Sequence, residues 1–588
     1  MEQFIPITQD EVHTKGWDLV DIVLVTGDAY VDHPSFGTAV ISRVLENAGF
    51  RVAVLSQPDW HSKKDFQKFG KPGLFFGISA GNMDSMVNKY TSLKKVRNND
   101  AYSEGDQPFK RPDRAAIVYS HRAREAFKDV PIIIGGIEAS LRRFAHYDYW
   151  SDRTRRSILV DSKADLLVYG MGENQALEIA RRLSAGENID STRGIRGTVF
   201  ITRENELFDD KDTITIPSFD EIASDKTKFN TATRIIHEET NPYTAKTIIQ
   251  FHGKRRVVQI PPPFPLTSAE LDKVYELPYT RKPHPSYKNP IPAFEMIKNS
   301  VTIMRGCFGG CSFCSIALHQ GKIVQSRSEK SIIKEITDIT KVEGSGVVIT
   351  DIGGPTANMY RMGCVSRTIL SKCRKLSCVY PSICSNLETD CGPLLLLLKK
   401  CRELKNVKHL FVSSGIRMDL ALLNPEYIRE IAKHHVSGYI KVAPEHISGP
   451  VLKVMKKPGK AVFENFKDRF TDFSKKAKKE QYVIPYLISS HPGAKMENEL
   501  ELALFLKDQG MRPRQVQDFL PSPMDIATSI YYTGRDPFSG ENVYVVKKEV
   551  EKRAHRAMIQ YYKKENQQLI LKALRKIKKE KLAGKLLH

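Results

Sequence analysis

All 9 cysteines of this chain fall between Cys307 and Cys401. Three form one tight run, Cys307-Phe308-Gly309-Gly310-Cys311-Ser312-Phe313-Cys314, a C-x3-C-x2-C pattern. Thiolates are soft ligands that suit iron–sulfur clusters and zinc. The two glycines between the first pair let a short loop wrap a compact object. A cluster of four irons needs four ligands, so three local cysteines leave one iron to a distant residue or open to an outside chelate with an amine and a carboxylate. One electron delivered there can break a bond in the chelate, and the resulting radical needs a dry, enclosed site. A structural zinc instead wants four closed ligands, usually in paired C-x2-C units. Zinc and unliganded core cysteines stand as the alternatives at this point.

The other six, Cys364, Cys373, Cys378, Cys384, Cys391 and Cys401, are widely spaced. They read as small core or loop residues, with a second metal site among Cys373, Cys378, Cys384 and Cys391 as the alternative. An odd number of cysteines crowded into one stretch does not read as a disulfide framework. It reads as metal binding in a reducing compartment, which predicts a cytoplasmic protein. The first residues show no basic and then apolar leader pattern, and no apolar run approaches ~18 residues, so no membrane span is expected.

A reactive loop of this kind needs a scaffold on either side. Ahead of it, apolar runs at 21–27, 51–57, 73–79, 131–136 and 166–170 alternate with helical patterns such as 37–48. This predicts an N-terminal doubly wound, Rossmann-like α/β domain over residues 1–200. The loop Thr26-Gly27-Asp28-Ala29-Tyr30 sits at a strand's carboxyl end, where open α/β sheets bind ligands. It lacks the G-x-G-x-x-G fingerprint, which argues against a nicotinamide. Residues 201–295, with Pro261-Pro262-Pro263-Phe264-Pro265, read as a connector. Over 296–545, strand candidates at 300–304, 346–352, 376–380, 409–414, 439–442 and 483–489 predict a partial parallel (β/α)6 barrel, with helices such as 330–341 and 425–434 between them. A further strand is expected at 515–520. Residues 546–588 read as a basic helical tail. From Lys547 onward it holds 14 Lys/Arg against 4 Glu, a large share of the chain's net charge of +22. Such a charge favours acidic partners, nucleic acid or anionic cofactors among them.

The spacing C-x3-C-x-aromatic-C, with Phe313 in the aromatic place, resembles the signature of the radical S-adenosylmethionine (SAM) superfamily. Later segments match that superfamily's barrel in order. Val347-Val348-Ile349-Thr350-Asp351-Ile352-Gly353-Gly354-Pro355 resembles the segment whose glycines approach the SAM amino group, with Pro355 where Glu is usual. Ser413-Ser414-Gly415-Ile416-Arg417 resembles a ribose or carboxylate contact. Lys441-Val442-Ala443-Pro444-Glu445-His446 resembles the fifth-strand lining of adenine and ribose, and Ile488-Ser489-Ser490-His491-Pro492-Gly493 the end of the sixth strand. Over roughly 90% of its length the chain is similar to the YgiQ-type radical SAM proteins, from Gly27-Asp28-Ala29-Tyr30 through Gly135-Gly136-Ile137-Glu138 to Pro521-Ser522-Pro523-Met524. The resemblance implies one 4Fe–4S cluster on Cys307, Cys311 and Cys314. It implies SAM held by Gly353, Gly354, Ser414, Arg417, Val442 and Glu445. It also implies reductive cleavage of SAM to a 5′-deoxyadenosyl radical, and an outside one-electron donor of flavodoxin or ferredoxin type. It supplies no substrate.

Some radical SAM enzymes carry an N-terminal cobalamin domain marked by Asp-x-His-x-x-Gly. Here Asp32-His33-Pro34-Ser35-Phe36-Gly37 puts the histidine one place too early, which argues against cobalt ligation by His33. Methylthiotransferases hold a second cluster in a similar domain, but no cysteine precedes Cys307. Arg142, Arg143, His146, Tyr147, Tyr149, Trp150, Arg153, Arg155 and Arg156 read either as a contact for a phosphate-bearing or RNA substrate or as an arginine-rich face packed on the barrel. The first reading, together with the tail, supports an alternative function: a nucleic-acid-binding protein with a structural or redox-sensing iron–sulfur cluster.

Overall fold

A computed structural model describes residues 4–203 and 212–587. The N-terminal half is built on a nine-stranded sheet. Its core is five parallel strands: Ile22–Thr26, Val52–Ser56, Phe75–Ile78, Ile132–Ile134 and Leu166–Val168. In chain order they lie 2-1-3-4-5 across the sheet, the arrangement of one class of doubly wound folds. Every residue of Ile22–Thr26 is buried, as expected where helices cover both faces. Alternate residues go to opposite faces. Ile22, Leu24, Val52 and Val54 join one apolar core with Ala39, Leu45, Ile179 and Ala180. Val23, Val25, Ala53 and Leu55 join another with Ala115, Tyr119 and Leu159.

The first part of the segment read as a connector, as far as Gln259, contributes strands to this sheet. Thr198–Arg203 pairs antiparallel with Leu166–Val168, and Arg255–Gln259, Thr247–His252 and Thr213–Ile216 extend the edge beyond it. The sheet therefore does not stop at residue 200. These strands mix polar residues such as Gln250, His252, Arg255 and Arg256 with their apolar ones, and the helices beside them, Phe219–Ser224 and Lys226–Glu238, are rich in charge.

In the C-terminal half, parallel strands follow one another in chain order. Ser300–Thr302 pairs with Asp351–Gly353, and Val347–Ile349 pairs with Val407–Leu410. Tyr439–Glu445 pairs with Tyr482–Ser489, which pairs with Gln517–Asp518. Helices Glu329–Glu343, Gly392–Arg402, Lys460–Lys476 and Met496–Asp508 alternate with them. Phe463, Phe466 and Phe470 make one buried stripe at helical spacing. The strand predicted at 376–380 does not form. Its polar groups bind the cysteine loop instead: Cys378 N donates to Phe308 O at 3.1 Å and Ser377 Oγ to Gly309 O at 2.8 Å.

The tail forms helices Glu549–Ile559, Gln567–Lys576 and Ala583–Leu587. Met558, Ile559, Ile570, Leu574 and Leu586 lie in the same apolar core as the strands around the cysteine loop. The two halves also share a core, since Leu452, Ile488, Phe519 and Tyr531 pack with the N-terminal sheet's inner face. Among the described residues no helix is long and apolar enough to cross a membrane.

Candidate functional site

The cysteine loop leaves the strand Met304–Arg305, which is anchored to the N-terminal half. Arg305 is buried in an ion pair with Glu173, and its Nε donates to Tyr275 Oη at 3.0 Å. Gly310 takes φ +66°, and a Cβ there would sit 2.7 Å from Leu376 O. Only glycine makes this turn against the 376–378 backbone. Gly309 N donates to Cys307 Sγ at 3.4 Å, Thr356 Oγ1 lies 3.5 Å from the same sulfur, and Arg417 Nη1 lies 3.8 Å from Cys311 Sγ.

Burial pushes the thiols of Cys307 and Cys314 up, and the charge of Cys311 raises both further. Three thiolates this close in a dry loop are stable only around a positive centre. Among the described residues no three His, Cys, Asp or Glu side chains group tightly enough for a single metal ion. Three thiol donors leave the fourth ligand of a cluster or a zinc ion to come from elsewhere.

Of the residues expected from sequence, Gly354 meets the strand leading into this loop, Arg417 meets the loop itself, and Gly353 meets Ser414. Added Cβ atoms would lie 2.6 Å from Ser414 Oγ at Gly353 and 2.6 Å from Met304 O at Gly354. The glycine pair is thus a close approach of three strand ends. Ser414 binds Asp351 through its hydroxyl, and its N–H donates to Asp351 Oδ1 at 3.0 Å. Arg417 forms a two-pronged pair with Asp419, with Nε to Oδ1 at 3.0 Å. Glu445 ends its strand at φ +65°, strained for a side-chain-bearing residue. Burial raises its carboxyl above the ordinary range, against the opposing pull of Lys457. Val442 is fully buried in the apolar core, so it offers only backbone to a ligand.

Four residues here were not singled out for roles from sequence: Asp351, Thr356, Asn358 and Asp525. Asn358 clamps the backbone of Arg417, accepting from its N–H at 2.8 Å and donating to its carbonyl at 2.9 Å. Asp525 is buried and receives the Ser315 hydroxyl at 2.9 Å, one residue past Cys314. Burial pushes Asp525 up to about 8. Asp351 lies inside the glycine segment, and Asp525 directly follows Pro521-Ser522-Pro523-Met524. Their polarity inside apolar segments was the available signal.

A cavity of about 450 Å³ opens where the two halves meet. Asn82, Gly135 and Gly136 bring the carboxyl ends of the N-terminal strands to it, and Met304, Gly354 and Pro355 bring the cluster side. Strand carboxyl ends are where doubly wound folds take ligands. His33 is buried with its ring edge-on to Phe294, and burial together with Arg281 pushes it well below the usual histidine range. Its neighbours Pro34 and Ser35 line the cavity; its own side chain does not.

The arginine–aromatic segment is mostly interior. Arg142 pairs with Asp84, and Arg143 binds Gln259 and Ser140 O. Tyr147 stacks on Tyr532 at 4.7 Å, and Lys552 Nζ donates to Tyr149 Oη at 2.9 Å. On the outside, Arg155 and Arg156 share Asp161. The segment thus packs the N-terminal half on the helices 526–533 and 549–559, which removes its buried members from any nucleic-acid surface.

Family models match in three consecutive pieces: Radical SAM N-terminal over 4–300, Radical SAM superfamily over 301–506, and a domain of unknown function (DUF3362) over 514–586. The UPF0313 protein YgiQ of Escherichia coli is 47% identical, covering 99% of this chain and 87% of its own. UPF0313 protein RPA0679 of Rhodopseudomonas palustris is 50% identical, covering 99% and 90%. Among solved structures, the radical SAM methyltransferase TsrM of Kitasatospora setae, with cobalamin and a 4Fe–4S cluster bound, superposes with TM-score 0.47 at 15% identity, over 86% of this chain and 74% of that one. The cobalamin-dependent OxsB gives 0.46 at 10%, over 97% and 63%. On the extent and identity of its sequence relatives, this chain belongs to the radical SAM superfamily and, within it, to the UPF0313 family of YgiQ.

Proposed function

We propose that this protein is a radical SAM enzyme whose substrate enters the cavity between the halves. The supporting observation is the convergence of three thiols within electrostatic reach of one another, the Gly353–Gly354 close approach and the cavity wall at Gly354 and Pro355. The strand–helix alternation around them is read as a partial parallel (β/α)6 barrel. A 4Fe–4S cluster held here would supply the electron for reductive cleavage of the SAM carbon–sulfur bond to methionine and a 5′-deoxyadenosyl radical. Cys307, Cys311 and Cys314 would hold three of its irons. Gly353 and Gly354 let the strand ends close together beside the methionine amine, while Ser414 and Arg417, stiffened by Asp351 and Asp419, receive the carboxylate. Glu445 meets the ribose, and the Val442 backbone flanks the base. Asp525 keeps a proton near neutrality, so the loop after Cys314 gains a hydrogen bond without a further negative charge. The buried wall excludes water from the radical. The electron comes from a flavodoxin- or ferredoxin-type donor in the cytoplasm.

A second reading draws on the tail, where Lys572, Arg575, Lys576, Lys578, Lys579 and Lys581 are exposed. It is an RNA-binding iron–sulfur protein, and the two coexist if RNA is the substrate. Anaerobic reconstitution, reduction with SAM and mass spectrometry test the first reading. The wild type is expected to release 5′-deoxyadenosine, and Cys311→Ala to lose both visible absorbance and cleavage. A folded Cys311→Ala variant that keeps both would overturn it. RNA affinity falling steeply with salt, with no cleavage, would favour the second reading.

A further inference from the structure

The six remaining cysteines divide into two sets. Cys391 and Cys401 are buried in the apolar core. Cys364, Cys373, Cys378 and Cys384 line a single cavity of about 90 Å³. Its wall is otherwise mostly apolar, with Ile323, Val324 and Leu387, and it backs onto Phe308 of the first cysteine loop.

Backbone contacts deliver each thiol. Cys364 bridges antiparallel to Leu387, flanked by Val365 N to Asn386 O at 2.9 Å. Cys384 N donates to Cys378 O at 2.8 Å, and Cys378 N to Phe308 O at 3.1 Å. Asn241 of the N-terminal half holds Cys373 O at 2.7 Å. Burial pushes Cys378 up to about 11; Lys322 opposes this, while Cys373, Cys384 and Cys364 add to it, so all three thiols lie within its electrostatic reach. Lys375 Nζ lies 3.5 Å from Cys384 Sγ. Hydrogen bonds to sulfur and nearby cations are what a thiolate-ligated cluster of net negative charge requires.

The surrounding chain points the same way. Between Tyr360 and Gly392 the only regular element is the helical turn Arg367–Leu370. A segment of this length without secondary structure is uncommon inside a compact domain unless something else orders it. Metal binding supplies that order where apolar burial is thin. Four soft thiols on one mostly apolar cavity match the all-cysteine ligand set of an iron–sulfur cluster, and metal content separates it from zinc.

We propose that Cys364, Cys373, Cys378 and Cys384 hold a second, all-cysteine 4Fe–4S cluster behind the first. Iron and sulfide are counted after anaerobic reconstitution, with circular dichroism as the check on folding. Wild type is expected to hold about eight irons per chain, and the Cys307→Ala, Cys311→Ala, Cys314→Ala triple variant about four, with a cluster spectrum that SAM does not perturb. Adding Cys373→Ser and Cys378→Ser removes the remaining iron. Should those serines prevent folding, the wild-type count and the share of its reduced-cluster resonance insensitive to SAM still decide. A folded triple variant without iron, or one holding zinc alone, overturns the second cluster. Eight irons with no SAM cleavage would defeat the proposed activity and leave this site standing.

Discussion

Gly354 shows how little freedom the cofactor side of the site has. A methyl group there would meet the Met304 carbonyl at 2.6 Å, a backbone atom that cannot turn away. Moving it means shifting the strand end that leads into Cys307, so overpacking and loss of cofactor geometry are coupled. Gly354→Ala is expected to destabilise the protein by about 2 kcal/mol and to lower SAM cleavage about tenfold or more through a strand-end shift on the order of 1 Å, with iron content retained. Urea unfolding and 5′-deoxyadenosine yield check it, and wild-type values for both would refute the close-approach role. Gly415, on the neighbouring strand end, has open space around its Cβ position, so Gly415→Ala serves as the control. The three-cysteine motif was legible because thiol chemistry of this kind demands fixed residue types at short spacing. Asn358 was not, because it acts on the Arg417 backbone, 59 residues away in sequence.

Glu499 ties elements together. Its carboxylate accepts from His555 Nδ1 at 3.1 Å and Ser490 N at 3.2 Å, with His446 Nε2 3.8 Å away. One side chain of helix Met496–Asp508 thereby joins two strand ends to tail helix Glu549–Ile559. Burial works against its charge, yet His446 and His555 pull it down to about 2. A carboxyl depressed on folding stabilises fully above its unfolded value near 4.5 and loses that contribution as pH falls toward 2. The contribution is roughly 3 kcal/mol at neutral pH. Glu499→Gln should therefore lower unfolding free energy at about pH 6 and flatten its decline toward about pH 3. Parallel pH dependences for variant and wild type would contradict this. Such a network was invisible in sequence, since 56 residues separate Glu499 from His555. Strand–helix alternation was legible wherever apolar runs are buried on both faces, as in Ile22–Thr26. It misled at 376–380, where the Val379 region serves the cysteine loop rather than a sheet.

Over the whole molecule, the tail's charge drew attention to its surface, while its apolar stripe determines where it sits. Ile570 and Leu574, one turn apart, are fully buried, as are Met558, Ile559 and Leu586. Burying such side chains contributes roughly 2 kcal/mol each. Five of them approach the net stability of a typical domain, about 5–15 kcal/mol. The tail also carries His555 into the Glu499 network and Lys552 onto Tyr149 of the N-terminal half. A chain ending at residue 546 would thus uncover the core beneath the cysteine loop and remove a clasp between the halves. Its expected behaviour is a loss of cooperative unfolding, early proteolytic cleavage between the halves and failure to retain a reconstituted cluster. Neutralising the exposed lysines instead, as in Lys578→Gln with Lys579→Gln and Lys581→Gln, should leave thermal stability within about 0.5 kcal/mol of wild type. The pair of experiments separates the tail's two natures. If truncation left the unfolding midpoint and iron content unchanged, the tail would be an appendage; if only neutralisation mattered, its charge would outweigh its packing.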